Sequence, residues 1–299
     1  MRNQITICFT CLCLAYLTAF GKPVTTSASV KTYQTKGTVR EVSLDHRSTV
    51  IRHDAIPDYM PQMTMEFTVL DSEELNGISP GDEISFHLIV TDESHWIDTI
   101  RPLKSSPGKT SQPWDPTAVN QSIALKPGQT MPDHEFLSED GKTLRFSDFR
   151  GKVVAFTFIF SRCPLPDFCP RMSKNFEQAR ALLKNDSREI KNWQFLSISF
   201  DPEFDKPAVL ARYAHSYRGN DPAGWTFAAA STNTLALLTN ELDLRVNRDG
   251  NGFSHNLRTI ILDPIGRIHR QLEGNRWTAQ ELADEMKKAT AAGKTYPSR

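Results

Sequence analysis

The sequence lacks a net charge, since 35 Lys and Arg residues balance 35 Asp and Glu residues in a chain of 299 residues. Without a basic excess there is no general attraction to the phosphates of a nucleic acid or to an anionic membrane surface. We therefore expect no nucleic-acid partner. The chain is long enough for two domains and a connecting segment.

Cysteine is scarce, and three of the five cysteines lie within the first 13 residues: Cys8, Cys11 and Cys13. Around them, Arg2 precedes an uncharged apolar run that ends at Phe20, with small residues near position 21. This pattern is typical of a secretory signal peptide over residues 1–21, and the run is short for a membrane-spanning helix. We expect an exported, periplasmic protein, which an uncleaved signal would anchor in the membrane.

The mature chain would keep only Cys163 and Cys169, which are separated by five residues. A disulfide within one short loop closes almost no chain and stabilises a fold little. A redox-active or metal-binding pair is therefore favoured, while a plain loop disulfide in an oxidising compartment remains the alternative.

The cysteine loop, residues 161–170, lies between a predicted strand and a predicted helix. Val153–Phe160 reads as a strand buried on both faces, and Arg171–Leu183 has apolar residues at helical spacing. The loop thus follows the carboxyl end of a strand, where open α/β sheets bind ligands. The helix N-terminus that follows favours a thiolate.

Two domains are predicted, a small all-β barrel of the OB type over residues 33–103 and an α/β thioredoxin-like domain over residues 128–292. The first has five short strands with turn signals between them, 37–42, 48–53, 63–69, 83–90 and 95–100. Residues 24–34 read as disordered, and residues 104–127 as a Pro-rich linker. The second alternates strands and helices and ends in a hairpin and a helix that Thr278 can cap.

The second domain resembles the Sco/SenC family of copper chaperones. The resemblance depends on the Cys-Pro…Cys-Pro loop, on Gly252-Phe253-Ser254-His255 far downstream, and on strand endings in Asp-Pro at 201–202 and 263–264. It implies a copper site made by Cys163, Cys169 and His255, with the cysteine pair also able to form a redox-active disulfide. The family loop usually has three residues between its cysteines, so the geometry and redox potential are expected to differ here.

Methionine supplies a second candidate site in the first domain. Only seven methionines occur, and Met60, Met63 and Met65 lie within six residues. Met63 and Met65 point to the same face of a strand, and two thioethers with His53 on a neighbouring strand would suit copper(I), although methionines are ordinarily core residues. This stretch resembles the CusF-like copper-binding domain, which implies His53, Met63 and Met65 as ligands and Met60 as a fourth ligand or a lid.

We therefore expect an exported copper chaperone that delivers copper to a cytochrome c oxidase subunit or another cuproprotein, with a thioredoxin-like reductase as a second partner. The first rival is a thiol–disulfide oxidoreductase or peroxidase that uses Cys163 as nucleophile and Cys169 to resolve. The second is a passive copper buffer. Asp201 either orients the thiol site or caps the next turn. Six histidines lack a partner at ligand spacing and receive no role: His46, His87, His95, His134, His215 and His269.

Overall fold

The structure is a computed structural model, and it describes residues 29–104, 124–186, 190–249 and 252–294. The predicted signal peptide and most of the predicted linker lie outside these residues. Across the described ranges, every helix is too short or too polar to cross a membrane.

The first domain is a five-stranded antiparallel barrel, as predicted. Its strands are hydrogen-bonded in the order β3-β2-β1-β4-β5, and a bridge between Val69 and Ile97 brings the end of β3 to β5. This arrangement is that of a small, partly open barrel of the OB type. The strands are β1 (Lys31–Val42), β2 (Ser48–His53), β3 (Met63–Thr68), β4 (Glu83–Val90) and β5 (His95–Lys104).

The first strand is longer than predicted, which corrects the expectation of disorder up to residue 34. Lys31 pairs with Val90, and the ladder continues along β4 to Thr38 and Glu83. The first residues of β1 are mostly polar and exposed, and they pair with β4 but not with β2, so they carry no apolar alternation. Tertiary pairing with β4 therefore determines where the strand begins, and local composition does not.

Gly37 is required where β1 pairs with β2, opposite His53. A Cβ atom at this position would lie 2.6 Å from the carbonyl oxygen of Arg52 and 2.8 Å from the Cα of His53. Both are backbone atoms, so neither can move without displacing the strand. The glycine thus allows the close approach that fixes the position of His53.

The second domain contains a seven-stranded mixed sheet in the order β14-β13-β8-β9-β10-β6-β7. The three central strands are parallel and the outer ones antiparallel. The central strand β8 is buried along its whole length, as its apolar sequence predicts. The strands of this sheet are β6 (Glu135–Ser138), β7 (Thr143–Arg145), β8 (Val153–Ile159), β9 (Trp193–Ser199), β10 (Trp225–Ala230), β13 (Arg258–Leu262) and β14 (Ile268–Glu273), while β11 (Val246–Asp249) and β12 (Gly252–His255) form a separate two-stranded sheet.

Four helices pack on this sheet and complete the predicted thioredoxin-like domain. They are α1 (Cys169–Asn185), α2 (Pro207–Arg218), α3 (Thr232–Glu241) and α4 (Ala279–Lys294). Thr278 caps α4 as predicted, because its hydroxyl accepts a hydrogen bond from the Glu281 N–H at 3.1 Å. Helix α1 begins earlier than predicted, so Cys169 belongs to its first turn. Pro170 is compatible with this start, because the first turn of a helix needs no N–H from it.

The hairpin formed by β11 and β12 was not predicted, although it carries His255 at its end. Strand β12 pairs only with β11 among the described strands, and it contacts β3 of the barrel. The described start of the second domain also lies earlier than residue 128, since the Leu125 N–H donates to the Glu241 carbonyl at 2.8 Å. The barrel and the second domain therefore meet at β3, β12 and the cysteine loop.

Gly37→Ala is expected to lower the thermal stability of the barrel, because the added methyl group collides with backbone atoms of β2. Overpacking of this kind costs about 1–3 kcal/mol. Thermal unfolding of the metal-free protein, followed by circular dichroism, measures the loss. Thr32→Ala, at an exposed position of the same strand, is the matched control, and equal melting of both variants would contradict the close-approach argument.

Candidate metal centre

The cysteine loop is anchored to the second domain by two buried carboxylates. Asp205 accepts hydrogen bonds from the backbone N–H of Ser161 at 3.0 Å and from its hydroxyl. Asp201 accepts a charged hydrogen bond from Arg162 at 2.6 Å. Asp201 therefore holds the residue next to Cys163, which agrees with the orienting role considered for it.

The middle of the loop enters the barrel. Leu165 is 2% exposed and belongs to the same apolar cluster as Met60, Met63 and Met65. Beside it, the Tyr59 hydroxyl donates to the Pro164 carbonyl oxygen at 3.0 Å. Burial raises the pKa of Tyr59, so the hydroxyl keeps the proton that it donates. The loop thus closes one end of the barrel with an apolar side chain and a hydrogen bond.

His95 and Asp167 form a second, polar connection between the domains. The Nδ1–H of His95 donates to an Asp167 carboxylate oxygen at 2.6 Å, and both side chains are buried. Asp167 is also bound to the second domain, because its backbone carbonyl oxygen accepts a hydrogen bond from the Asn275 side chain at 2.8 Å. His95 received no role from the sequence, and the structure corrects this: it binds the cysteine loop itself.

The two thiols have opposite acid–base properties. Both are reduced in this structure; Cys163 is half-buried and Cys169 fully buried. Burial opposes ionisation of Cys163, but hydrogen bonds with the thiol and backbone of Cys169 hold its pKa below the ordinary value. Burial and the hydrogen bond to Cys163 raise the pKa of Cys169 well above it. Burial therefore outweighs the expected effect of the helix N-terminus on the pKa of Cys169, and Cys163 is the thiol with the lower pKa.

His255 is placed at the end of β12 as a neutral imidazole. Burial among aromatic rings lowers its pKa to about 4, with Phe200 at 4.6 Å between ring centroids. Its Nδ1–H donates to the Asn256 carbonyl oxygen at 3.0 Å. Since Nδ1 carries the proton, Nε2 keeps a lone pair for a metal.

The four candidate ligands of the barrel are all buried. Met63 lies opposite His53 in the register of β2 and β3, and Met65 lies two residues further along the same face. The Nδ1–H of His53 donates to the Asp54 carbonyl oxygen at 2.6 Å, so this ring also presents Nε2 as the basic nitrogen. The set of thioethers and an imidazole suits a soft ion such as copper(I).

One cavity lies between the two candidate sites and is lined by residues of both. Its volume is about 10 Å³, which is close to the space that a single water-sized sphere needs. It is lined by residues of both domains: Met63, Met65, Phe160, Cys163, Pro164, Leu165, Phe168, Phe253 and His255. Two methionines, one cysteine and one histidine among the predicted ligands therefore line the same small space.

The remaining predicted ligands lie beside this cavity. Cys169 contacts Cys163, while His53 and Met60 lie in the barrel next to the two lining methionines. Within the described ranges, His, Cys, Asp and Glu side chains nowhere gather in threes closely enough to hold a metal ion. Cys163, Cys169 and His255 therefore do not form such a group as they stand in this structure, and the methionine sulfurs of the barrel are outside these donor types. The assignment of Cys163, Cys169, His255, His53, Met63, Met65 and Met60 as metal ligands stays a prediction.

Two family models match this chain in adjoining segments. The SCO1/SenC model matches residues 124–291, and the model of the copper-binding periplasmic protein CusF matches residues 32–102. A curated relative, the SCO1 protein homolog of Bacillus subtilis (strain 168), is 32% identical over 82 residues. That match covers 27% of this chain and 40% of the relative's length.

The second domain is also similar to solved structures. A SCO1/SenC family lipoprotein from Bacillus anthracis str. Ames is 24% identical, with a TM-score of 0.49, and the match covers 56% of this chain and 99% of that one. Arabidopsis thaliana ScoI with copper bound is 18% identical, with a TM-score of 0.47, over 54% of this chain and 98% of that one.

Cys163 is expected to react with iodoacetamide at least about tenfold faster than Cys169, because the thiolate is the nucleophile and Cys169 is buried and protonated. Peptide mass spectrometry of the reduced, metal-free protein at neutral pH measures both rates. In Cys163→Ser, Cys169 should remain slow because its burial is unchanged. Equal rates for the two thiols would contradict this asymmetry.

His95→Ala is expected to loosen the docking of the cysteine loop on the barrel. Removing the histidine leaves the buried Asp167 carboxylate without the hydrogen bond from His95, which costs about 1–3 kcal/mol. Hydrogen–deuterium exchange of peptides that cover residues 163–168 should become faster. His215→Ala, on an exposed face of α2, is the control; equal exchange in the two variants would show that the His95–Asp167 bond does not hold the loop.

Proposed function

Because the chain belongs to the SCO1/SenC family, we propose that it is a copper chaperone with donors for copper in both domains. The observation that carries this proposal is one small cavity that is lined by Cys163 and His255 of the second domain and by Met63 and Met65 of the barrel. These soft sulfur and nitrogen donors fit copper and are a poor set for calcium or magnesium.

Copper is the metal that the comparisons support, since the CusF model describes a copper-binding protein. The thioethers of the barrel would take copper(I), which they bind without losing a proton. The two thiolates of the second domain also select copper(I), and His255 would allow copper(II) to be held there as well. Both cysteines must be reduced for this role, because the thiolate is the ligand.

Delivery requires a location and two partners. We propose that the protein is exported to the periplasm, where an uncleaved signal would keep it at the membrane, and that it loads a cytochrome c oxidase subunit or another cuproprotein. A thioredoxin-like reductase would return the cysteine pair to the dithiol after oxidation. The half-buried Cys163 can exchange its metal by successive ligand replacement, which suits a donor better than a storage site.

Thiol–disulfide exchange is the second candidate function, and the asymmetry of the two thiols favours it. A pair with one low-pKa, accessible thiol and one buried, protonated thiol is the arrangement of an attacking and a resolving cysteine. The five-residue spacing differs from the two residues that thioredoxin-type enzymes usually place between their cysteines.

A His255→Ala variant of the full chain separates these functions. In the chaperone, the variant should lose most copper(II) binding and most copper transfer to an apo-acceptor, because imidazole is the donor that suits copper(II). It should keep its rate of disulfide exchange with a model disulfide. In an oxidoreductase that uses His255 as a base, exchange should slow by roughly 100-fold or more.

Metal titration, acceptor transfer and an exchange assay on the same preparation measure all three quantities, with His215→Ala as the control. Unchanged copper binding together with collapsed exchange would overturn the chaperone proposal. Copper binding without any transfer by the wild-type protein would instead favour a passive buffer.

A further inference from the structure

The residues that line the cavity come from both domains and include two methionines, a cysteine and a histidine, and Cys163 packs against the apolar cluster of the barrel. We propose that Met63, Met65, Cys163 and His255 form one composite copper(I) site, through which the ion passes from the barrel to the second domain without entering solvent. This inference rests on the proposed function and deepens it, because it replaces two separate sites by a shared one at the moment of transfer.

The size of the cavity is the first argument. The volume is about 10 Å³, which is close to the space that one water-sized sphere needs. An ion within it therefore lies against the barrel on one side and against the cysteine loop on the other. Two ions held independently, one on the thioethers and one on the thiol, would compete for the same space.

The docking contacts are the second argument, since they hold the two halves of the site together before any ion arrives. Leu165 is buried in the barrel, Pro164 accepts the hydrogen bond from Tyr59, and Asp167 binds His95. All three loop residues lie between Cys163 and Cys169. The loop that carries the thiols thus also packs against the barrel that carries the thioethers.

The lining of the cavity is the third argument. Phe160, Phe168 and Phe253 surround the donors and are at least half-buried. An apolar shell around a metal site limits the access of solvent. Copper(I) that crosses here is less exposed to water and oxygen than an ion that passes between separated domains.

The transfer step is a ligand exchange without a change of oxidation state. Copper(I) enters on the Sδ atoms of Met63 and Met65. A bond then forms between the ion and the Sγ of Cys163, whose proton leaves to solvent, and His255 Nε2 adds its lone pair. Finally the bonds to the thioethers break, so that one copper(I) has moved into the second domain and one proton has been released.

The test uses the reduced full chain with a single equivalent of copper(I). With selenomethionine in place of methionine, X-ray absorption at the copper edge distinguishes a selenium neighbour from a thiolate sulfur. The composite site predicts both neighbours around the first equivalent. Competition with a copper(I) chelator, bathocuproine disulfonate, then measures its affinity in two variants, Met63→Leu/Met65→Leu and Cys163→Ser.

In a composite site, each variant should weaken binding of the first equivalent by at least about tenfold, because each removes donors of the same ion. Leu conserves the volume of Met, so the fold should survive, and Met286→Leu in the core of the second domain is the matched control. The selenium signal in the wild-type protein needs no substitution and remains decisive if a variant does not fold.

Other outcomes separate the two proposals. If only one variant loses affinity and the first equivalent shows only one kind of neighbour, the sites are independent; the composite site is then overturned and the chaperone proposal stands. If neither variant changes the affinity, copper is bound elsewhere, and both proposals fail.

Discussion

The burial of Leu165 in the barrel is the contact on which the arrangement of the two domains depends. Fully burying a leucine contributes about 1.5–3 kcal/mol, and one neutral hydrogen bond such as that from Tyr59 to Pro164 adds about 1 kcal/mol. These amounts would not hold two separate proteins together at low concentration. They are sufficient here because the two domains belong to one chain, which makes docking an intramolecular event.

The hydrogen bond between His95 and Asp167 determines the position of the loop more than it stabilises the docking of the two domains. Removing two polar side chains from water costs free energy that their bond only offsets. A misplaced loop, however, would leave each group buried without its partner, and that state is strongly disfavoured. The pair therefore selects one position of the loop, and this position brings Cys163 to the cavity that Met63 and Met65 line.

The sequence predicted the elements that local patterns determine. The bounds of Ser48–His53 and Glu83–Val90 agree with the structure because alternating residues mark strands that are buried on one face. The same alternation placed Met63 and Met65 on one side of β3. The cysteine loop was predicted to follow β8 because a run of apolar residues ends at Phe160.

The contact between the domains could not be predicted in this way. His95 and Asp167 are 72 residues apart, and no periodicity connects them. Strands β11 and β12 were missed because they are short and mostly polar, although Asp249-Gly250 and Asn251-Gly252 are dipeptides that favour a hairpin turn. As a result, the sequence suggested two sets of ligands but not the single cavity at which four of their members meet.

The length of the cysteine loop makes the second domain depend on the barrel. Five residues separate the thiols, where the SCO1/SenC pattern usually has three, and Leu165 and Asp167 belong to this enlarged segment. Without the barrel, Leu165 would be an exposed apolar side chain and Asp167 would lose its histidine. The enlarged loop and the barrel therefore form one structural unit, and in the second domain alone neither Leu165 nor Asp167 would have its observed side-chain partners.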